Sequence, residues 1–461
     1  MTKLLRGISL PLVLAVLVVL LAACGGNDGG SANAGTDTIA NAGSETAGQK
    51  GSNTGVASTA GDEKFTLTLW TISDNADPMT NRALAKAIEM FKEQYPKGEI
   101  KVEGKGRPEQ LYDQLNIAVS AGNAPDLFWS NVGQNVSFYI KNGKVESLDS
   151  YAQQFGWYDA YPQSAIDYQK KFLGDFYALP SNYNAMGIWY KKDLFEKYNI
   201  AIPQTYEDLL KAADKLKQNN VIPMVMAGKW PAIVTRLFDG ILEMETGAEL
   251  HDNLLLGTAR FNDPAVVEAF RKLKEDWVDK KYFQPGYLSN EEAQTNNLWY
   301  SSKAAMWYSG SWEFGNLRNN KQDLENYGFF PFPTGVSPYR IVAFGDGYYM
   351  SSDSKHKDEA AAFLNAMSSL DAQQAILETN PESSSARIGA IDLNKVNETK
   401  KQIVDLLQNS GSYVPTNEMG TEPRLTDVLF DVQTRVLTGE LQPEEAADIL
   451  DKKAEEFGWY K

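Results

Sequence analysis

Four tryptophans stand in sequence contexts that are typical of loops. Trp70 and Trp129 each end a short apolar run, Trp230 lies in the segment GKWPA, and Trp312 lies in SGSW. Because glycine and proline are rare inside packed elements, Trp230 and Trp312 favour the surface. An indole face is flat and apolar and carries one polar N–H, so it suits the C–H face of a pyranose ring. The four side chains are therefore predicted to contact a neutral, sugar-like ligand.

Other tryptophans are predicted to pack inside the protein. A tryptophan is more often a core residue than a ligand contact, because its ring buries a large apolar area. Trp157, Trp189 and Trp277 are assigned to the core or its flanks on this basis. The sequence does not decide whether Trp299 lies in the core or contacts the ligand.

Composition and motifs argue against several classes of chemistry. The 461 residues include 44 Lys and Arg against 60 Asp and Glu, a formal charge of −16, which disfavours a nucleic-acid partner. One cysteine and two histidines cannot readily form a zinc site or a Cys/His pair, so no metal or cofactor is expected. No Walker loop, G-x-S-x-G or G-x-G-x-x-G motif is found, and His251, beside Asp252, is predicted to be exposed. No enzyme is predicted, although the many carboxylates leave a glycosidase pair open.

The first 23 residues are predicted to be a signal peptide. Lys3 and Arg6 precede an apolar run, Ile8 to Leu21, that is short for a membrane span. The run ends in LAAC, which resembles the cleavage site of bacterial lipoproteins, so Cys24 is predicted to carry lipid such as palmitate. An uncleaved anchor helix with an incidental cysteine is the alternative. Residues 24–62, rich in Gly, Asn, Ser and Thr, are the lipidated cysteine and a predicted disordered tether.

The rest of the chain alternates strand-like and helix-like segments. Residues 65–70 alternate apolar and polar side chains, a helical pattern over 83–95 stops before Pro96, and residues 126–129 read as a buried strand. This order predicts an α/β fold with a largely parallel sheet covered by helices on both faces. Such sheets bind ligands at the carboxyl ends of their strands, which is where Trp70 and Trp129 are placed.

Several segments of this part, taken in their order and spacing behind LAAC, resemble a known family. They are AGNAPD at 121–126, ALPSN at 178–182, GIWYKKDLF at 187–195, PQTYEDL at 203–209, AAM at 304–306, GSW at 310–312 and FPFP at 330–333. The chain is similar in these segments to the extracellular solute-binding proteins of sugar-importing ABC transporters, the maltose-binding-protein-like family 1. The resemblance covers nearly all of residues 64–461.

The resemblance implies a two-lobed periplasmic-binding-protein type II fold, in which two doubly wound sheets are joined by a hinge that the chain crosses several times. Residues 63–180 and 342–380 are expected to form the N-terminal lobe, and residues 181–341 and 381–461 the C-terminal lobe. The crossings are expected near residues 180–183, 339–343 and 379–384.

The resemblance also assigns ligand-binding residues. Trp129, which follows the Pro-Asp pair at 125–126, and Trp312, in GSW, match sugar-stacking aromatic residues of relatives. The other matching positions follow strands or lie near the crossings; they are Asp74, Asn131, Asn184, Asp346 and Arg387. Asn184 stands where maltose-binding protein has an acidic residue, and PESSS precedes Arg387 instead of the family's usual Pro-Ala. With Trp70 and Trp230, these residues make up the predicted site.

The function implied by the resemblance is binding without chemistry. A monomer would hold a carbohydrate between its lobes and deliver it to ABC permease subunits, while the lipid on Cys24 tethers it to the extracytoplasmic face of the cell membrane. The Gly-rich stretch after Cys24 resembles lipoproteins of Gram-positive bacteria. Three alternatives stay open: the same fold binding glycerol phosphate, a polyamine or a peptide; a surface sensor or adhesin; and a carbohydrate hydrolase. A phosphate ligand would need clustered Arg or Lys, which the acidic composition does not favour.

Overall fold

The computed structural model describes residues 64–77, 81–379, 381, 383–416 and 422–461. These residues belong to one compact unit. The predicted signal peptide, Cys24 and the predicted tether all lie outside the described residues, so they stay predictions.

The described residues alternate strands and helices, which confirms the predicted α/β class. The strands are β1 (Phe65–Thr71), β2 (Gly98–Gly104), β3 (Leu127–Asn131), β4 (Ala178–Lys191), β5 (Ile222–Val225), β6 (Ala304–Gly310), β7 (Tyr327–Phe330), β8 (Arg340–Met350) and β9 (Gly411–Tyr413). The α-helices are α1 (Arg82–Gln94), α2 (Pro108–Ser120), α3 (Gln134–Lys141), α4 (Asp149–Phe155), α5 (Gln163–Phe172), α6 (Lys192–Lys197), α7 (Tyr206–Gln218), α8 (Pro231–Leu256), α9 (Pro264–Lys272), α10 (Glu292–Tyr300), α11 (Glu313–Asn319), α12 (Lys357–Ser368), α13 (Leu370–Thr379), α14 (Glu398–Asn409), α15 (Pro423–Thr438) and α16 (Pro443–Glu456).

The first three strands form the parallel sheet of the N-terminal lobe. β1 pairs in parallel with β2 on one side and with β3 on the other. Leu67 and Leu69 of β1 are buried because alternate residues of a strand share one face. Helix α1 lays Leu84, Ala87 and Phe91 on the same core, which places three residues of one helical stripe against the sheet. Burial of each large apolar side chain contributes about 1.5–3 kcal/mol to folding.

Two long strands join the lobes. β4 pairs antiparallel with β8 from Ala178–Tyr349 to Met186–Val342, with a bulge between Pro180 and Asn182. The end of β8 also pairs with β3, whereas the later part of β4 pairs with β6 and β7 of the C-terminal lobe. The sheet order is β2-β1-β3-β8-β4-β6-β5, with β7 on β4 and β9 on β8. The sheets of the two lobes are therefore continuous through β4 and β8.

The sheet is mixed, whereas the sequence predicts a largely parallel one. The pairs β1–β2, β1–β3, β5–β6 and β8–β9 are parallel, but β4 and β8 run antiparallel to each other and to their remaining partners. Apolar periodicity reveals that a strand exists but not its direction. The two crossing strands run in opposite directions; β8 pairs with β3 and β9, whereas β4 pairs with β6 and β7.

The expected third crossing near residues 379–384 stays a prediction, and the residues that follow it bond to segments of both expected lobes. The Arg387 guanidinium donates to the backbone carbonyls of Ser368 and Ala160 at 3.0 and 2.9 Å, in segments expected in the N-terminal lobe. Thr399 in α14 donates its hydroxyl to the carbonyl of Tyr327 at 2.9 Å, in a segment expected in the C-terminal lobe.

The predicted core tryptophans are buried. Trp157, Trp189 and Trp277 are almost completely inaccessible, which confirms their assignment, and Trp299 is a fourth core residue. Each donates its indole N–H to a side-chain or carbonyl oxygen at 3.0–3.1 Å. A buried indole needs such a partner, because an unpaired N–H costs free energy in the core.

His251 is buried, and the prediction that it is exposed is wrong. It follows a bend of α8 at Gly247 (φ 67°), its side chain is 0% exposed, and its ring centre lies 5.2 Å from that of Tyr413. The neighbouring Asp252 accepts a hydrogen bond of 2.7 Å from Arg340. This cation comes from a distant part of the chain and allows a polar segment to turn inward, which a local pattern cannot reveal.

Candidate functional site

The carboxyl ends of strands from both lobes meet at one cleft. In the N-terminal lobe, β1 and β3 are parallel neighbours, so the loops after Thr71 and Asn131 leave the same edge of the sheet. In the C-terminal lobe, β5 and β6 are parallel, so the loops after Val225 and Gly310 also leave one edge. Open α/β sheets bind ligands at such edges, and here two of them face each other across β4 and β8.

The middle of β8 forms the floor of the cleft. Val342, Phe344, Asp346 and Tyr348 share one face of the strand because they alternate in the sequence. Val342 belongs to the core of the C-terminal lobe and Tyr348 to that of the N-terminal lobe. Phe344 and Asp346 lie between the two cores and are partly exposed. The protein thus leaves one aromatic ring and one carboxylate uncovered where the strand passes between the lobes.

Asp346 is the polar centre of the floor. Its carboxylate accepts hydrogen bonds from the Ser181 hydroxyl and from the Asn182 amide at 3.2 Å, and Asn131 stands opposite it on β3. Desolvation raises the pKa of Asp346, and the hydrogen bonds from Ser181 and Asn182 offset part of that rise. A carboxylate has more acceptor capacity than these donors use, so Asp346 can also accept from a ligand hydroxyl.

Trp129 and Tyr112 form the aromatic wall of the N-terminal lobe. Their rings are parallel within 3°, with centroids 6.5 Å apart. The Tyr112 hydroxyl accepts a hydrogen bond of 3.3 Å from the backbone N–H of Asn131, which holds the ring beside the end of β3. Trp129 is only 4% exposed, so little of its face is open to a ligand in this conformation. Its buried N–H faces the carboxylate of Asp346 but lacks good hydrogen-bond geometry.

Trp312 and Trp230 form the aromatic wall of the C-terminal lobe. Trp312 is partly exposed and lies 5.9 Å from Phe344, at an interplanar angle of 65°, which joins this wall to the floor. Its ring covers Gly310, where an added Cβ would stand 1.9 Å from the ring. Trp230 directly precedes α8 and is 51% exposed. The Arg236 guanidinium lies over both indoles, 5.8 Å from Trp230 and 5.4 Å from Trp312.

Asn184 ties the floor to the C-terminal lobe. It stands opposite Phe344 on β4, and its Oδ1 accepts hydrogen bonds from the hydroxyls of Ser311 at 2.8 Å and Ser384 at 3.1 Å. The two serines also line a cavity of about 230 Å³, whose other lining residues include Arg387. Asn184 thus lies between the cleft floor and this cavity.

Three predicted residues lie apart from the floor and the two walls. Trp70 is in register with Phe128, so its side chain points to the sheet face opposite Trp129, and the Lys105 ammonium lies 3.9 Å from its ring centre. Asp74 is exposed in the loop after β1, at the cleft edge of the sheet. Arg387 is bonded to backbone carbonyls, as described above. The structure therefore brings together Trp129, Asn131, Asn184, Trp230, Trp312 and Asp346.

Five residues of this arrangement are not among the predicted ligand-binding residues: Tyr112, Ser181, Asn182, Arg236 and Phe344. Tyr112 and Arg236 belong to helices, where their periodicity gives no sign that they touch a distant aromatic ring. Ser181 and Asn182 do carry a signal, because two polar residues interrupt an otherwise apolar strand. That signal was available in ALPSN at residues 178–182.

The described residues carry neither a spanning helix nor a metal cluster. Within the ranges given above, no helix combines the length and the hydropathy of a membrane span. In the same ranges, no group of three or more His, Cys, Asp or Glu side chains could hold a metal ion.

Comparisons with known proteins agree on one family. The model of the family described as bacterial extracellular solute-binding protein matches residues 76–374. An uncharacterized ABC transporter extracellular-binding protein of Pyrococcus horikoshii is 31% identical over 304 residues, which is 63% of this chain and 65% of that protein. A probable sugar-binding periplasmic protein of Rhizobium meliloti is 24% identical over 344 residues, 73% of this chain and 81% of that protein. Among solved structures, a chitin oligosaccharide binding protein has a TM-score of 0.72 at 23% identity, covering 85% of this chain and 98% of that one.

Proposed function

Because the chain belongs to the family of bacterial extracellular solute-binding proteins, we propose that it is the substrate-binding component of a carbohydrate ABC importer. It captures a sugar or an oligosaccharide between its lobes and delivers it to the permease subunits in the membrane. The observation that carries this proposal is the lining of the cleft, in which the indole of Trp312 contacts Phe344 of the floor and Arg236 lies over the indoles of both Trp312 and Trp230. Indole faces stack on sugar C–H faces, and the carboxylate of Asp346 accepts hydrogen bonds from hydroxyls. The printed names of the Rhizobium relative and of the chitin oligosaccharide binding protein support this ligand class.

The action of the protein is a change of population and not a reaction. A sugar that touches Trp312 on one lobe and Asn131 on the other stabilises the closed arrangement, because those contacts exist together only when the lobes meet. Only this difference in affinity between the two states can shift the equilibrium. The permease then recognises the closed form, and the sugar leaves chemically unchanged.

A thermal-shift screen tests the ligand class. The protein from Gly25 onward is heated with xylo-, chito- and malto-oligosaccharides, and separately with glycerol phosphate and spermidine. A ligand at a hundred times its Kd adds about 2.7 kcal/mol to the free energy of unfolding, so a true ligand raises Tm by several degrees. A rise with one saccharide class, recovered intact by chromatography, supports the proposal. A rise only with a charged solute, or cleavage of the saccharide, contradicts it.

The proposed location is the extracytoplasmic face of the cell membrane, with a monomer held by lipid on Cys24. The matched family is extracellular, and the LAAC motif supplies the lipid site. Mass spectrometry of the protein extracted from membranes should show a chain that begins at Cys24 and carries acyl chains, because two acyl chains hold a protein stably in a membrane. A chain that retains residues 1–23 and carries no acyl group would mean that the apolar segment itself is the anchor.

A further inference from the structure

We propose that Arg236 is a positioning residue that holds Trp230 and Trp312 together as one preformed wall for the ligand. The two indoles come from separate loops, one after β5 and the other after β6, and Arg236 comes from the second turn of α8. The inference deepens the proposed function, on which its role in binding rests. Its geometric part concerns the protein without ligand and can be tested by itself.

Arg236 is placed between the indoles by the helix that Trp230 precedes. Its residue is 8% exposed, and its guanidinium carbon lies 5.8 Å from the Trp230 ring centre and 5.4 Å from that of Trp312. Both distances fall within about 6 Å, the range of a cation–π contact. One guanidinium therefore contacts two rings that lie 82 positions apart in the chain.

A planar guanidinium suits this place better than another cation. It has two flat faces, it is weakly hydrated, and it stacks on aromatic rings, whereas a lysine ammonium is a compact, strongly hydrated charge. Half of Trp230 is exposed, so without such a contact its ring would be free to change rotamer. Ordering a mobile side chain during binding costs about 0.5–1.5 kcal/mol, and a ring already held in place avoids that cost.

The surroundings of Trp312 also support the positioning role of Arg236. Its ring lies over Gly310, and Phe344 touches it from the floor. Burial raises the pKa of Glu313, the residue after Trp312, and that of Tyr308 on β6, and the positive charge of Arg236 opposes a small part of each rise. Arg236 therefore interacts with Tyr308 near the end of β6, with the turn that carries Trp312, and with Trp230, the residue before α8. Loss of its guanidinium should loosen both rings together.

Fluorine NMR of the ligand-free protein labelled with 5-fluorotryptophan tests the geometry. The resonances of the two rings are assigned with Trp230→Phe and Trp312→Phe. In Arg236→Met both resonances should shift or broaden, while those of the core residues Trp157, Trp189 and Trp277 stay in place. Arg424→Met is the matched control, because the Arg424 guanidinium lies 4.4 Å from the ring centre of Phe457 instead of a tryptophan. Unchanged resonances of Trp230 and Trp312 in Arg236→Met would overturn the proposal.

Calorimetric titration with xylotriose, chitotriose and maltotriose tests the consequence for binding. The trisaccharide that binds the wild type should bind Arg236→Met about five- to tenfold more weakly, and Arg424→Met as tightly as the wild type. Equal affinity of Arg236→Met would overturn the role in binding. If Arg236→Met does not fold, Arg236→Lys decides, since it keeps the charge but not the flat faces and should still move both resonances. If no trisaccharide binds the wild type, the proposed function fails, while the fluorine spectra still decide whether Arg236 holds the rings.

Discussion

At the residue scale, Trp312 combines an accessible ring with fixed neighbours. Phe344 and Arg236 touch its ring, and Gly310 lies beneath it. Trp129 has the reverse character, because protein atoms already cover almost all of it. The sequence treats the two tryptophans alike, since each follows an apolar strand. Their different exposure makes Trp312 the better candidate for stacking.

Replacing Trp312 by alanine should therefore weaken saccharide binding at least tenfold. The lost contact corresponds to about 1.5–3 kcal/mol of side-chain burial, which converts to a factor of roughly ten or more in Kd. Calorimetric titration measures the change, and far-UV circular dichroism checks the fold. Trp70→Ala is the matched control, because Trp70 points to the opposite sheet face and its loss should leave Kd within about twofold. An unchanged Kd in Trp312→Ala would remove this residue from the site.

Next to Trp312, the carboxyl group of Glu313 is buried in surroundings that disfavour its charged form. It is 1% exposed, and it accepts hydrogen bonds from the Trp299 indole and the Asn316 amide, both at 3.0 Å. Burial raises the pKa of Glu313 from 4.5 to about 7, against the smaller lowering effect of those hydrogen bonds. The ionised form is thus disfavoured in the folded state. The contribution of Glu313 to the free energy of unfolding should therefore fall as the pH rises from about 4.5 to 7 and stay low above pH 7.

Glu313→Gln should remove this pH dependence. The amide cannot ionise, so the variant should gain up to about 3 kcal/mol of stability over the wild type at pH 8, and little at pH 4.5. Urea denaturation at both pH values measures the difference, and subtracting the wild-type curve cancels the other carboxyl groups. An equal gain at the two pH values would show that ionisation of Glu313 is not the cause.

At the element scale, the turn from β6 to α11 depends on one missing side chain. β6 ends at Gly310, and the ring of Trp312 occupies the space that a Cβ would take, with 1.9 Å between the added atom and Cζ3. A side chain at position 310 would therefore displace the Trp312 ring from its place in the aromatic wall.

Gly310→Ala should displace Trp312 and weaken saccharide binding about as much as Trp312→Ala does, with a loss of stability of about 1–3 kcal/mol from overpacking. Gly315→Ala in α11 is the matched control, because no atom lies within 4 Å of its added Cβ. That control should keep the affinity and gain about 0.5–1 kcal/mol, since alanine favours a helix over glycine. Titration and urea denaturation of both variants make the comparison; equal behaviour of the two would contradict the packing argument.

Local elements followed from local patterns. The helical pattern over residues 83–95 predicted α1, which ends at Gln94, just before Tyr95 and Pro96. Thr205 and Asp263 cap α7 and α9 through their side chains, and both residue types favour this position. Strand direction did not follow, because side-chain alternation is the same in parallel and antiparallel pairs. The bonds of Arg387 did not follow either, since they are made with backbone carbonyls that are far away in the chain.

At the scale of the whole molecule, the continuous strands β4 and β8 connect the two lobes. β4 has its bulge between Pro180 and Asn182, and β8 pairs with β3 only as far as Asp346, so the irregular part of the two strands lies at the floor of the cleft. Contacts with a saccharide on both walls would then favour closure directly.

Saccharide binding should therefore make the molecule more compact. Small-angle X-ray scattering should show a decrease in the radius of gyration, which is about 21 Å for a compact chain of roughly 400 residues. At the same saccharide concentration, Trp312→Ala should show a smaller decrease because fewer molecules are occupied. Saturated binding with no change in the scattering curve would mean that the lobes do not close on this ligand.

The sequence by itself determined the α/β class, several helices and strands, three of the core tryptophans and the resemblance to solute-binding proteins. These depend on periodicity, caps and short motifs, which are properties of neighbouring residues. Only the tertiary structure decided which polar residues share the cleft. Ser181, Asn182, Asn131 and Asp346 come from three strands, and Arg236 meets two indoles from two loops. Such contacts depend on strand register and helix placement, which are settled by packing between segments that are far apart in the chain.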